Sequence, residues 1–510
     1  MKKHGWLGAW VAVAGIGLSM AGNATAEDDS IIRFSLLMSN RFVWKGNALD
    51  TLNVDPLDLR FAEDELAYSM FLGAVIDLRL HRRLSLHLGL DSGELRLPAF
   101  SHFDPEPACA GENPDVRCAL TSNNRPIETE ARENLFLRQA YLEGKWGAFG
   151  WLRLKAGKLL LSTANGFIMD NYALGVSASA DLDTGYDLPW NLTISALFPD
   201  GTFTAAGKRS PFAYVDLAYR RSFLEEIGFF FGWYHDGDNN IGDILWSIFN
   251  EDLLAIDPTG YATNVAATLR GSRMVKSEAD LFWLGLRGNW LRNRLALSFT
   301  AILEFGSADL TYQGAWLARK DEVDFLGGAA DALIQWDVLD SLTLGSFLVF
   351  MSGETYQGGN ETKFLNRRYQ TFVSVYPYLT YTNIFFSGGM NENYSARSFS
   401  SSGINGRGVI APGLTAGWEV GKALVLRAVS ALLFSHGAHV TSNNRFYGWE
   451  TDLNADWEIW DHVRLLLEAD YLWTGDFFDF KKPLTSLPQN QTQTQEPGCF
   501  KLMAGLELRM

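Results

Sequence analysis

The last third of the chain alternates apolar and polar side chains, residue by residue, around tight turns. From Trp449 it reads WETDLNADWEI, with Trp449, Thr451, Leu453, Ala455, Trp457 and Ile459 on one side and Glu450, Asp452, Asn454, Asp456 and Glu458 on the other. After a bend at Trp460, Asp461 and His462, Val463, Leu465, Leu467, Ala469, Tyr471 and Trp473 face one way, and Arg464, Glu468 and Asp470 the other. Successive side chains of a strand point to opposite faces, so the pattern predicts a hairpin with one apolar and one charged face.

The same period runs through the rest of the chain. Ile32, Phe34, Leu36 and Met38 alternate with Arg33, Ser35, Leu37 and Ser39. Leu84, Leu86, Leu88 and Leu90 alternate with Ser85, His87, Gly89 and Asp91. Leu502, Ala504, Leu506 and Leu508 alternate with Lys501, Gly505, Glu507 and Arg509. Very short links fall near His81, Gly147, Arg221, Arg292, Asp340, Gly421 and Asp461. Between them lie long polar stretches: Leu97 to Thr129, Gly237 to Lys276, Gly353 to Arg367, Asn391 to Gly408 and Phe477 to Gly498. Short turns at one end and long loops at the other fit a transmembrane barrel, in which every backbone donor and acceptor finds a partner in a neighbouring strand. A soluble β-sandwich would also alternate. It would not keep the short/long rhythm on one parity, with charges persisting in the strands to the end of the chain.

The predicted fold is therefore all-β: a transmembrane antiparallel barrel of about 18 strands (16–20), with short periplasmic turns and long extracellular loops. The stretch Tyr369 to Gly388, with Pro377 in its middle, reads either as two short strands or as one strand bent at proline. Aromatic residues make up 13% of the chain, including 17 Trp, enough for girdles at both membrane interfaces. Lys2 and Lys3, the apolar stretch from Trp6 to Met20, and Ala24-Thr25-Ala26 read as a secretory signal peptide over 1–26. Residues 27–510 read as one barrel domain of the bacterial outer membrane, with membrane lipids around it. The net charge of −16 argues against nucleic acid as a partner.

Cys109 and Cys118 share one polar, proline-containing segment and are expected to form a local disulfide, leaving Cys499 over. Neither a metal nor a cofactor is expected, since no paired Cys/His spacing accompanies them. DGDNNIGD from Asp236 lacks the glycine and the final acid of a helix–loop–helix calcium site and reads as a solvated loop. His436 and His439 in HGAH read as loop residues. Ile241, Ile244, Leu245, Ile248, Phe249 and Leu253 have helical spacing and predict a short helix within a long loop. No nucleophile elbow or Ser/His constellation appears, so no enzymatic activity is expected.

The polar face should line the lumen. On it fall Arg138, Arg153 and Lys155, with Lys145 and Lys158 near the ends of the same hairpin, and farther along Arg287, Arg427, Arg464 and Arg509. Glu450, Asp452, Asp456, Glu458, Glu468 and Asp470 should form an acidic counterpart on the late hairpin. A row of cations would guide an anionic solute or polymer by weak, repeated contacts. The bland reading is that these charges pair across the barrel and keep it wet.

LRQAYLEGKWG from Leu137, followed by LRLKAGKLLLSTANGFIMDNYALGV from Leu152, resembles outer-membrane porins of the alginate-export type and related exopolysaccharide-export barrels. Arg138, Ala140 and Tyr141 match one element of that family, Gly157 and Lys158 stand at its Gly-Arg position, and Gly166, Asp170 and Gly175 match its loop. The resemblance implies passive passage of an anionic polysaccharide during export, alongside periplasmic and inner-membrane export machinery, with Arg138, Arg153 and Lys155 at the constriction. The alternatives are a porin for uptake of small anionic solutes and a surface adhesin or structural barrel.

Overall fold

A computed structural model describes residues 32–46, 65–92, 95–98, 136–147, 150–199, 210–222, 225–237, 241, 273–313, 318–354, 368–375, 377, 379–386, 400–401, 403–438, 444–478 and 498–510. The signal-peptide reading over 1–26, the Cys109–Cys118 pair, His439 and the helix from Ile241 (beyond Ile241 itself) lie outside these residues.

Eighteen strands close on themselves. They are β1 (Ile32–Gly46), β2 (Glu65–His81), β3 (Leu84–Asp91, resumed over Leu95–Pro98), β4 (Phe136–Trp146), β5 (Leu152–Thr163) and β6 (Met169–Asp181). Next come β7 (Trp190–Phe198), β8 (Phe212–Ser222), β9 (Glu225–Asp236), β10 (Arg273–Arg292), β11 (Leu295–Gln313) and β12 (Ala318–Leu339). The last six are β13 (Leu342–Met351), β14 (Val409–Val420), β15 (Leu424–Phe434), β16 (Phe446–Trp460), β17 (Val463–Thr474) and β18 (Cys499–Arg509). Each strand pairs antiparallel with the next in the chain. β18 pairs antiparallel with β1, from Leu37 opposite Arg509 to Gly46 opposite Phe500, and closes the circuit. The backbones of Leu36 and Met510 complete the seam with two hydrogen bonds of 2.8 and 2.9 Å.

The outer face follows the predicted alternation. On β9, Ile227, Phe229 and Phe231 are exposed while Phe230, Tyr234 and Asp236 between and beyond them are buried. Exposed leucines, phenylalanines and tryptophans on nearly every strand make a surface that only hydrocarbon would solvate favourably. Trp449 and Trp457 both face outward on β16, eight residues apart. That is about 26 Å along the strand, the scale of an apolar band about 25 Å tall. Trp449 stacks on Trp473 of β17 with ring centroids 4.5 Å apart, and its indole N–H donates to Ser430 Oγ at 2.7 Å. No helix among the described residues is long and apolar enough to cross a membrane, which says nothing of strands.

Two of the expectations need correction. The described residues of 369–388 contribute no pair of wall strands. Arg368–Tyr369 lies parallel to β12 at Asp324–Phe325, on the edge that β13 leaves unpaired, and the chain then turns inward. The inner face is also not uniformly polar. Toward the long-loop end, Phe212, Tyr214, Phe230, Tyr234, Leu281, Trp283, Leu310, Val323 and Phe325 are buried inside the barrel in one continuous apolar cluster. They pack there with Phe167 and Ile168 from the short β5–β6 connection and with Phe372, Val373, Val375, Phe385 and Phe386. Where chain fills the lumen, the inner face becomes a core, and the strands there read apolar on both sides.

Candidate functional site

Residues 371–375 and 379–386, hereafter the inner segment, cross the lumen and are tied to two arcs of the wall. On the first arc, Val373 N donates to Glu304 Oε2 of β11 at 2.8 Å, and Tyr381 Oη donates to Asp331 Oδ2 of β12 at 2.8 Å. Gly327 of β12 faces this crossing. A Cβ there would stand 3.0 Å from Glu304 Oε2, 3.1 Å from Thr371 O and 3.2 Å from Phe372 Cα, so any side chain would press on the crossing segment. From the β5–β6 connection, Ile168 O accepts from Val375 N at 2.9 Å.

On the second arc the acceptors are the carboxylates that the alternation placed on the lumen face. Glu450 accepts from Thr382 Oγ1 at 2.8 Å, Ile384 N at 2.5 Å and Phe385 N at 3.0 Å. Asp452 Oδ2 accepts from Asn383 N at 3.0 Å, and Asp470 Oδ1 from Asn383 Nδ2 at 2.7 Å. Glu450, Asp452, Glu468 and Asp470 are all buried. The predicted hairpin forms, with Asp452 opposite Asp470 and Asn454 opposite Glu468. Lys501 of β18 ion-pairs with Glu468 and lies 3.9 Å from Asp470. The acidic face is therefore not an open lining. It is the seat of the inner segment, and its acceptors satisfy backbone N–H groups that a chain crossing a lumen would otherwise leave unpaired.

The wall of β2–β5 is built differently. Its polar side chains meet each other. The His87 ring stacks on Tyr141 at 4.6 Å, with Nδ1 2.5 Å from Asp77 Oδ1 and Nε2 3.5 Å from Glu143 Oε2. Lys145 Nζ is 3.5 Å from Glu143, and Lys155 Nζ lies 5.3 Å from the Tyr141 ring centroid. Arg153 is exposed, opposite Lys145 in the β4–β5 ladder. Arg138 stands beside a register shift between β3 and β4. The Gly157 of the β5 motif has φ of +133°, and a Cβ there would strike the Ala140 carbonyl. Arg153, Lys155 and Lys145 thus share one wall, with Asp77 and Glu143 interleaved.

The remaining cations sit elsewhere. Arg287 of β10 is held by Asp216 at 2.8 and 2.9 Å and by Glu226 at 2.5 Å. Arg464 pairs with Asp456 and lies 3.7 Å from Glu507, which Arg509 also contacts at 2.5 Å. Arg427 lies opposite Asn454. Asp236, at the start of the acidic loop, accepts from Ile241 N at 2.7 Å and acts as a backbone cap. His436 contacts the Gly353 backbone, with Nδ1 3.0 Å from its carbonyl O.

The sequence reading did not single out Glu304, Asp331, Asn383 or His87 as site residues. The available signals were a glutamate within the apolar run AILEF and the paired Gly327-Gly328 midway along a long strand, which leave room for a second chain.

No family model matches the sequence, and no curated protein matches it either. Among solved structures, similar chains include OccAB4 of Acinetobacter baumannii (12% identity, TM-score 0.47, covering 94% of this chain and 99% of that one). OccK9 (OpdG) of Pseudomonas aeruginosa gives 12% identity and a TM-score of 0.47, with coverages of 94% and 98%. The outer membrane protein OpdK of Pseudomonas aeruginosa gives 9% identity and a TM-score of 0.45, with coverages of 94% and 98%. At these TM-scores the likeness supports nothing about this chain's activity, and the closed circuit of antiparallel ladders stands as the ground for the fold.

Proposed function

We propose that this protein is an outer-membrane channel for small solutes, anionic by preference, rather than a conduit for an anionic polysaccharide. The observation that carries this reading is the inner segment. With Phe372, Val373, Val375, Phe385 and Phe386 buried inside the barrel, the lumen is not the wide aqueous bore that a barrel of this size would otherwise enclose. Passage of a polymer would require that segment to leave. The preference for anions rests on the wall of β2–β5, where Lys145 and Arg153 are exposed and Lys155 is half-buried. Such a wall offers repeated weak contacts that permit release as well as entry. No export machinery is needed for this role.

The test is reversal-potential measurement in planar bilayers under a salt gradient, combined with liposome-swelling rates for small anions and for an anionic oligosaccharide. The wild type is expected to favour anions and to pass small acids but not the oligosaccharide. Arg153→Glu with Lys155→Glu should move the reversal potential toward cations. Unchanged selectivity in that variant would remove the basic wall from the account, and free passage of the oligosaccharide would restore the export reading.

A further inference from the structure

The seat of the inner segment holds more negative charge than its partners balance. Glu450 and Asp452 on β16 and Glu468 and Asp470 on β17 are all buried, and one ammonium group, Lys501 on β18, lies among them. The other charged groups on the elements packed there are placed elsewhere. Arg427 of β15 is level with Asn454 and so with Glu468 two strands away, nearer the short-turn end than Glu450 and Asp452, and Arg464 pairs with Asp456 farther down. Tyr381 of the inner segment is bonded to Asp331. Asp452 stands directly opposite Asp470 in the ladder, with Glu450 and Glu468 two residues away on the same faces of their strands. Asp452 Oδ1 and Asp470 Oδ2 are buried with no hydrogen-bond donor. Two carboxylates that face each other out of water cannot both keep their charge cheaply; a shared proton turns the contact into a hydrogen bond.

We propose that the inner segment, residues 371–375 and 379–386, is a displaceable constriction of the channel, docked on a carboxylate site that takes up protons as it docks, so that the lumen narrows on acidification and widens as pH rises. The proposal rests on the reading of the protein as a channel. With the segment lifted, the four carboxylates meet water and ionise separately, and the protons leave. Raising the pH therefore favours the undocked state. Each proton taken up on docking changes the docked-to-undocked ratio by up to about tenfold per pH unit. On the β16–β17 arc the hydrogen bonds of the attachment all come from one short run of chain, residues 382–385, beside the ring contact of Phe385 with Tyr447 at 5.1 Å.

The experiment is single-channel recording of the full-length protein in planar bilayers from about pH 5 to about pH 8, within which unperturbed carboxylates are ionised. Mean conductance of the wild type is expected to rise several-fold, roughly tenfold at most per pH unit for one linked proton. Asp452→Asn with Asp470→Asn, which imitates the protonated site, should hold the low-pH conductance throughout. Ile168→Cys with Val375→Cys, placed where the two backbones already bond, should keep the low-pH conductance at high pH and gain the higher one on addition of dithiothreitol. A wild type that conducts equally at every pH overturns the proposal and leaves the channel reading intact. Conductance that follows potassium concentration at fixed pH, and not pH, also overturns it, because an alkali cation would then balance the site. A protein that conducts at no pH overturns both readings.

Discussion

Two regions of the same barrel wall, the pair of arcs that seats the inner segment and the wall of β2–β5, carry charged side chains and use them in opposite ways. On β11–β12 and β16–β17 the carboxylates point into the lumen and are covered there. They accept hydrogen bonds from a chain segment 50 to 87 residues away in sequence. On β2–β5 the charges answer one another, around a buried Glu143 with Lys145 and Arg153 exposed: His87 between Asp77 and Glu143, Lys145 on Glu143, Lys155 beside Tyr141. Charge on the inner face of a barrel is therefore not in itself a pore lining. What decides its role is whether the chain supplies donors of its own to the site. A buried acceptor is costly to leave unmet, and backbone N–H groups crossing a lumen are equally costly to leave unmet, so the two conditions meet each other's need.

The contrast can be broken by substitution. The largest effect is expected for Glu450→Ala, which strands the Thr382 hydroxyl and the Ile384 and Phe385 amides together. A loss of about 3 kcal/mol or more is expected in urea unfolding of the refolded barrel in detergent micelles, at about 1 kcal/mol or above per stranded donor. If the loss stays within the scatter of surface substitutions, the segment is not anchored there. Next in size, Gly327→Val should force the inner segment away from β12. A destabilisation of about 1–3 kcal/mol is expected for overpacking, with a raised single-channel conductance as the functional readout.

The other arc should respond more weakly in stability and more clearly in selectivity. Glu143→Ala removes a carboxylate from between His87 and Lys145, and about 1 kcal/mol is expected from loss of such contacts. Its sharper signature is a reversal potential displaced toward anions. The smallest effect belongs to neither arc. Arg294→Ala removes an exposed pair with Asp340 at the short-turn end, and stability should change by no more than about 0.5 kcal/mol. A large loss there would mean that turn pairs, not the lumen network, hold the barrel.

The sequence made the wall legible and the filling illegible, for a physical reason. WETDLNADWEI and VRLLLEADYLWT carry the period of a strand, and their register follows: Trp449 opposite Trp473, Thr451 opposite Tyr471, Asp452 opposite Asp470. Strand number and the short-turn end follow from the same alternation. The partner of Glu450 could not be read in this way. Its donors are main-chain amides at Ile384 and Phe385, and amides look alike in every sequence. The run FFFGWY on β9 holds a trace of the filling, because apolar residues occupy both parities where the inner face packs against chain rather than water. Pro377 signals that residues 369–388 are not ordinary wall strands, and the tight approach at Gly327 confirms where the segment goes. Arg138, Arg153 and Lys155 illustrate the remaining limit. Alternation places them on one hairpin together with Glu143, while Asp77 and His87 come from pairing with β2 and β3.

The most direct test of a lumen closed by its own chain is to replace residues 371–386 with a glycine–serine linker of equal length and record single channels beside the wild type. Removing the segment should enlarge conductance several-fold and shift selectivity toward cations, since Glu304, Asp331, Glu450, Asp452 and Asp470 would then line open water. A correctly folded variant with the conductance and selectivity of the wild type would contradict the account.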